Sequence, residues 1–341
     1  MHSGAAYSRL AASELLADLF IDVSGSSTPN AVNICSLLDI LAVKHVPVGG
    51  LGTTIVANTL YQCAATAEVA RAAAAGFQAG EIYALAFSEE GAGSDLSALE
   101  CAATPMPEGW RLDGQKRWCS NGLRAARILV LARSGTTLPK NDGLSIFDLE
   151  IPARGATLCR TDVCGGIDVA DLKLERCLLP HKSLIGERNR AWALVSDVMC
   201  IERLVLAAIS VGSAQRALDS ALRHVKSRKQ FGRTIGSNQV VRHRMADLLT
   251  ELEATRCLLY GVAAATDHEP LGIHFRGASM AKLRATELAK EANLTSVQLH
   301  GATGVVQDSQ SHLELDRSLV TTIYGGTNEL QREIIGMSYG L

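Results

Sequence analysis

Hydrophobic and polar positions along the chain fall into three successive regimes. Residues 1–80 are rich in Ala and Leu, and the stretch 64–76, AATAEVARAAAAG, joins strong helix formers to a glycine placed to end the helix at Gly76. The longest run without Asp, Glu, Lys or Arg, 45–67, predicts a buried helix preceded by a Gly-rich turn at Gly49, Gly50 and Gly52. Between 82 and 185 the short runs 83–88, 127–132, 144–149 and 171–176 alternate or are rich in β-formers. The turn signals EEGAGSD, EGW, SNG, KNDG and CGG separate them, which predicts a small antiparallel β domain. From 190 onward the period is helical. Val195, Met199, Leu204, Ala207, Ile209, Val211, Ala214, Leu218, Leu222 and Val225 are apolar on more than one side, so the helix over 195–226 is expected to be central. FGRTIG at 231–236 precedes a second long helix through 266, a third spans 273–300 and ends at GATG, and a last one follows Gly325–Thr327. Thr327 is placed as its N-cap and Glu329 in its first turn. The fold class is α+β multidomain: an N-terminal helical domain (1–81), a middle antiparallel β domain (82–186) and a C-terminal helical bundle (187–341).

Composition narrows the function classes. Among 341 residues, 33 Lys+Arg against 35 Asp+Glu leave a net charge of −2, without the basic excess that nucleic acid or anionic lipid requires. The 47% hydrophobic content excludes disorder. Nine scattered cysteines with no CxxC pair read as reduced thiols rather than a disulfide frame or zinc site. Arg9, Glu14 and Asp18 interrupt the apolar start, so no signal peptide is expected. Run 45–67 contains Pro47, three glycines, Asn58 and Gln62, which makes it a poor membrane span. The expectation is a cytoplasmic protein with no nucleic acid, membrane or metal among its partners.

Four clusters could carry chemistry. In SEEGAGSD, 88–95, two glycines flank an alanine and precede Ser94, so the backbone can approach a flat ligand; the plain alternative is a surface turn. In GQKRWCSNG, 114–122, an indole followed two positions later by a hydroxyl places Trp118 and Ser120 on one side of a strand, suited to a planar cofactor, unless Trp118 is a core residue. Glu202-Arg203 opens the uncharged stretch LVLAAISVGSA; the glutamate is either half of an ordinary ion pair or a partly buried base for a carbon-bound proton. In YGGTNE, 324–329, paired glycines before a helix make a nest for an anion or carbonyl oxygen. Neither a Walker lysine nor a Rossmann GxGxxG is present.

Taken in order, AFSEEGAGSD, GQKRWCSNG, ERLVLAAISVGSAQRALDSALRHVKSRKQFGRTIGSNQ, QLHGATG and IYGGTNELQREIIG closely resemble the acyl-CoA dehydrogenase family over residues 70–341. The resemblance implies the same three-part architecture and bound FAD. It implies that Leu85, Phe87, Ser88, Gly93 and Ser94 line the flavin, that Trp118 packs against its ring and that Ser120 bonds near N5. Arg228, Phe231 and Gln239, with Gln298, Gly301, Gly326, Thr327 and Glu329, are implied for the remainder of the dinucleotide, some of them from a neighbouring subunit of a homodimer or homotetramer. Ser94, Arg203, Tyr324 and Gly325 are implied at the substrate. The implied reaction is α,β-dehydrogenation of an acyl thioester on CoA or on an acyl-carrier protein. The residue-325 amide holds the thioester carbonyl, hydride passes to flavin N5, and electron-transfer flavoprotein or oxygen is the acceptor.

Departures from the family pattern refine that picture. Most members place the base directly before the GT turn, where this chain has Gly325, and a glycine takes no proton. A smaller group, similar to isovaleryl-type, long-chain and prolyl-carrier-protein dehydrogenases, carries the base on the earlier helix at the position of Glu202. Glycine at 325 also frees volume for a branched or ring-bearing acyl group. The N-terminal region is short for the family, Glu90 replaces a proline, Gly301-Ala302 replaces a glycine pair, and Asp316-Arg317 inverts the usual order. These features resemble compact members that act on carrier-bound thioesters. Two other readings stand beside this one: a flavin oxidase or monooxygenase on the same fold, and a non-catalytic relative.

Overall fold

The computed structural model describes residues 7, 9–13, 15–23, 26–46, 50–135, 142–307 and 309–341. The expected turn residues Gly49, Lys140 and Asn141 lie outside them. In chain order the α-helices are α1 (Ala31–Val43), α2 (Leu51–Ala64), α3 (Ala67–Gln78), α4 (Ala191–Ser227), α5 (Gln239–Thr266), α6 (Phe275–His300), α7 (Gln310–Thr321) and α8 (Asn328–Ser338). The strands are β1 (Phe20–Val23), β2 (Ser26–Pro29), β3 (Tyr83–Ala86), β4 (Ala102–Met106), β5 (Gly109–Ser120), β6 (Arg127–Arg133), β7 (Leu144–Glu150), β8 (Ala156–Arg160), β9 (Val169–Pro180), β10 (Leu184–Ile185), β11 (Lys229–Gln230) and β12 (Arg233–Thr234). The chain divides into two compact units, one of residues 1–30, 48–163 and 167–202, the other of 31–47, 164–166 and 203–341.

The first unit is built on a sheet in the order β10–β7–β6–β4–β5–β9–β8, with β3 alongside β6. Long hairpin partners are antiparallel as expected, yet β3 and β4 each run parallel to β6. The sheet is therefore mixed: β3 arrives from helix α3 rather than from a hairpin, so nothing local forces reversal. Trp110, Leu112, Cys119, Ile128, Val130, Phe147, Leu172 and Leu174 form the core, with the Trp110 and Phe147 rings edge-to-face at 5.1 Å. The uncharged run folds as α2, entered at Gly50 with φ 96° and buried at Ile55, Val56, Ala57, Leu60 and Tyr61.

The expected helix over 64–76 is divided. Ala65 is extended, the Thr66 side chain caps α3 at Val69 N–H, and α3 continues through Gly76 to Gln78. Gly76 serves close packing instead of a cap. A Cβ there would lie 2.2 Å from Tyr83 Oη, and the left-handed residue beyond the helix is Gly80.

The second unit contains α1, most of α4 and α5 to α8. The central character expected for α4 is observed: Ile201, Leu204, Ala207, Ala208, Val211, Ala214 and Leu218 are all enclosed. Gly212 lets α1 approach α4, since a Cβ there would sit 2.5 Å from Asp39 O. The first amides of α1, at Ala31 and Val32, donate to the Asp267 carboxylate just past the end of α5. Helix α7 had no counterpart among the expected elements; Ser309 caps its start, its hydroxyl accepting His312 N–H at 3.2 Å.

Candidate active site

The first unit presents a loop and a bulge tied together by buried charge. Residues 89–92 close a tight turn, with Glu89 N–H on Ala92 O at 2.9 Å, leaving Gly91, Gly93 and Ser94 exposed. Neither glycine has a positive φ, and a Cβ on either would meet nothing within 4 Å. Nothing within the protein requires glycine there, which fits backbone kept bare for a ligand's approach. Glu89 anchors the loop, accepting the amides of Glu100 (2.7 Å) and Cys101 (2.9 Å) and the Lys116 ammonium at 2.6 Å. Lys116, fully enclosed in β5, also donates to Phe87 O at 3.1 Å. Burial pulls its pKa below the ordinary lysine value, against which the Glu89 carboxylate holds the charge.

Directly after Lys116 the strand slips. Lys116 pairs with Leu172 and Cys119 with Ala170, so three steps on β5 face two on β9. The extra residue is a β-bulge, and Trp118 takes φ 63° within it, a costly geometry for a bulky residue. The expected alternation therefore holds only in outcome: Cys119 is buried while Trp118 is 51% exposed and Ser120 half-buried. Arg117 braces the bulge, pairing with Glu90 and with Asp171 (2.9 Å) and lying over the Trp118 ring at 4.6 Å. Glu90, the departure from a family proline, thus has an ionic role at the loop. Of the other expected lining residues, Leu85 is half-buried in β3, Phe87 is buried and Ser88 is half-buried, its carbonyl accepting Arg117 N–H at 2.9 Å. An exposed indole on a strained bulge, beside bare glycines, suits a flat aromatic ligand.

The division of the chain into units falls within α4, between Glu202 and Arg203. Between Cys200 and Val211, only Glu202 and Ile209 are less than buried, and the two lie seven residues apart on one helical face. Arg203, next to Glu202, is buried.

The second unit presents two further groups. The first is the hairpin β11–β12, whose two-residue turn Phe231–Gly232 has φ 51° and 79°, as a type I′ turn requires. Phe231 is wholly exposed, Arg228 and Gln239 are exposed on either side of the hairpin, and Gln298 is exposed near the end of α6. Gly301 has φ 61° and open space where a Cβ would be. The second is the turn before α8. Gly325 and Gly326 are left-handed (65° and 81°), and Thr327 Oγ1 accepts Leu330 N–H at 3.2 Å, the cap expected from sequence. Glu329 is exposed in the first turn, and Tyr324 is at the edge of exposure. Beneath this turn Lys282, fully enclosed on α6, donates to Gly326 O and to Asn328 Oδ1, each at 2.9 Å. Asp316 and Arg317 stay with α7, where Arg317 donates to Gly165 O at 2.9 Å and to Glu314 at 2.8 Å.

Lys116, Glu89, Arg117 and Lys282 were not among the expected site residues. A signal for the lysines exists in each case: Lys116 sits at an inward position of β5, and Lys282 shares a helix face with Ala278, Ala285 and Ala289.

The acyl-CoA dehydrogenase middle-domain model matches residues 84–177, and the acyl-CoA dehydrogenase C-terminal-domain model matches 189–340. A mitochondrial isovaleryl-CoA dehydrogenase of Solanum tuberosum is 34% identical over 258 residues, which is 75% of this chain and 62% of that protein. The chain thus spans somewhat under two thirds of the length of such curated relatives. Among solved structures, the prolyl acyl carrier protein oxidase AnaB superposes with a TM-score of 0.90 at 25% identity, covering 99% of this chain and 91% of that one. An acyl-CoA dehydrogenase of Geobacillus kaustophilus does so with a TM-score of 0.91 at 24% identity, covering 99% and 90%. No described helix is long and apolar enough to cross a membrane. The two family models together match most of the chain, in the order and places where the loop, the bulge and the capped turn stand, and the chain belongs to the acyl-CoA dehydrogenase family.

Proposed function

We propose that this chain binds FAD and oxidises an acyl thioester between its α and β carbons, with Glu202 as the base. The observation that carries this reading is the position of Glu202 as the one carboxylate in the stretch 200–211 of α4, where every other residue but Ile209 is buried, combined with a left-handed glycine at 325 that can take no proton. A carboxylate partly withdrawn from water is a stronger base toward carbon than a fully solvated one. When bound, FAD supplies the two-electron acceptor that takes the β-hydrogen as hydride. In the first unit, Trp118, Ser120, Ser88, Gly93 and Ser94 are proposed to hold the flavin. In the second, the cofactor's phosphate-bearing portion is proposed to rest on Arg228, Gln239, Gln298, Gly301 and Thr327. Exposed Phe231 is proposed to face a second copy in a homodimer or homotetramer.

The proton leaves the α-carbon for a Glu202 oxygen as the C–H electron pair becomes the new double bond, so no charge is left on carbon at the end. The Gly325–Thr327 turn supplies amides to the thioester carbonyl while that oxygen gains charge. Gly325 leaves room beside the α-carbon, which supports a branched or ring-bearing acyl group. The isovaleryl-CoA and prolyl-carrier relatives support that class of acyl group on CoA or on a carrier protein. The oxidase relative supports oxygen as an acceptor beside electron-transfer flavoprotein.

The test is an anaerobic visible spectrum of the flavin-loaded protein, titrated with saturated straight, branched and ring-bearing thioesters on CoA and on carrier protein. Bleaching by the branched or ring-bearing class is expected. Glu202→Gln should keep FAD and slow bleaching by at least about a thousandfold, the scale of a lost essential base. Rapid bleaching in Glu202→Gln would remove that residue from the role, and a yellow protein that no thioester reduces would refute the reaction.

A further inference from the structure

The two peptide groups on either side of Gly326 are held by their oxygens. Gln331 Nε2, wholly enclosed on α8, donates to Gly325 O at 3.2 Å and to Gly326 O at 3.0 Å. Lys282 Nζ donates to Gly326 O at 2.9 Å, while its second contact, Asn328 Oδ1, also accepts from Thr286 Oγ1 at 3.1 Å. A trans peptide is planar, with its N–H directed opposite to its C=O. Fixing the oxygens of Gly325 and Gly326 toward the enclosed cluster therefore directs the amides of Gly326 and Thr327 to the other side of the turn. Among the described residues neither amide has an acceptor. The Lys282 charge further polarises the peptide that it touches, which strengthens the Thr327 N–H as a donor.

The clamp also dictates the residue at 326. Its φ of 81° is left-handed, and a Cβ would lie 2.8 Å from Gln331 Nε2, so a side chain there would strain the backbone and push the clamp away. An enclosed lysine is a costly way to tie a loop that a hydrophobic contact would hold as well. A cation donating to a backbone oxygen accomplishes what such a contact does not: it selects one orientation of the peptide plane.

We propose that Lys282 and Gln331 are positioning residues, which aim the Gly326 and Thr327 amides at an oxygen acceptor of the bound ligand. That acceptor is either the thioester carbonyl or an oxygen of the cofactor. The inference rests on the acyl thioester reading, and the experiment separates the two sources and the two ideas. Lys282→Met and Gln331→Leu are compared with wild type in three measurements. The first is hydrogen exchange over residues 322–331 of the ligand-free protein. The second is FAD affinity by titration of apoprotein, and the third is the rate of anaerobic bleaching by isovaleryl-CoA and by the other thioesters of the panel.

Exchange over 322–331 should quicken by at least about tenfold in either variant, with exchange over 200–215 unchanged. Bleaching slowed on the order of tenfold to a hundredfold with FAD affinity intact would assign the amides to the thioester carbonyl. Weakened FAD with an unaltered bleaching rate would assign them to the cofactor. Unchanged exchange, or unchanged FAD affinity together with unchanged bleaching, would overturn the proposal. Should Lys282→Met fail to fold, Gln331→Leu, which removes a neutral side chain, carries the same three readouts. If no thioester bleaches the wild type, the dehydrogenase reading falls, and exchange and FAD affinity still decide the clamp.

Discussion

At the scale of single residues, the informative side chains are charged or titratable groups taken out of water. Lys116 and Lys282 are both fully enclosed, and each donates to a backbone oxygen of a segment bearing candidate site residues: Phe87 in one unit and Gly326 in the other. An ammonium in such surroundings persists only when several acceptors converge on it. His224 shows the opposite case. Its ring lies 4.5 Å from that of His300, and burial, followed by the charges of His300 and Arg228, holds its pKa below the ordinary imidazole value. The unfolded chain therefore takes up this proton first as pH falls. His224 favours the fold above about pH 6.5, and its contribution is lost as pH drops from there through the folded-state pKa. Thermal unfolding followed from about pH 7.5 down to 5.5 should show a larger drop in Tm for wild type than for His224→Asn. Equal drops would show that this imidazole does not couple to folding.

At the scale of elements, what the sequence resolves depends on whether the cause is local. The cap at Thr327 is local, a hydroxyl three residues before the amide that it accepts, and it was readable from YGGTNE. Thr327→Ala is expected to cost about 1 kcal/mol and to speed exchange at the start of α8 before the remainder of the bundle. Exchange in α8 that is no faster than in wild type would show that the Lys282 and Gln331 contacts to the turn hold this end without the cap. The bulge at Arg117–Trp118 was not readable, because it is a mismatch between β5 and β9, whose paired residues lie about fifty positions apart in the chain. Its brace, Arg117 between Glu90 and Asp171, draws on two other segments, and no window around GQKRWCSNG contains both. The mixed direction of the sheet has the same origin, since β3 and β6 pair in parallel across forty residues of intervening chain.

At the scale of the whole molecule, chain order and spatial grouping diverge. Helix α1 belongs to the unit that contains α5 to α8, although α2 and α3 belong to the other. Its contacts there include Asp267 on its first amides, the close approach that Gly212 allows its backbone, and Asp39 accepting from Arg256 and Tyr260. Asp267 caps a helix that starts 236 residues earlier. Asp267→Ala leaves those amides without their acceptor and is expected to destabilise the second unit by about 1–2 kcal/mol, with Asp267→Asn losing less. Chemical denaturation monitored by exchange in α1 measures this. A change confined to α5 would refute the capping role.

The sequence by itself determined where the long helices lie, which of them is central, where the last one is capped, and the order of the loop, the strand and the turn that bear the candidate chemistry. Each of these follows from residue spacing within a few turns or from motifs contiguous in the chain. Only the tertiary structure decided that Trp118 stands on a bulge, that Glu89 and Lys116 fasten the glycine loop, that Asp267 caps α1, and that Lys282 and Gln331 set the peptide planes of the 325–327 turn. Those features depend on which distant segment meets which, and on the enclosure of a charge that makes its few remaining partners decisive.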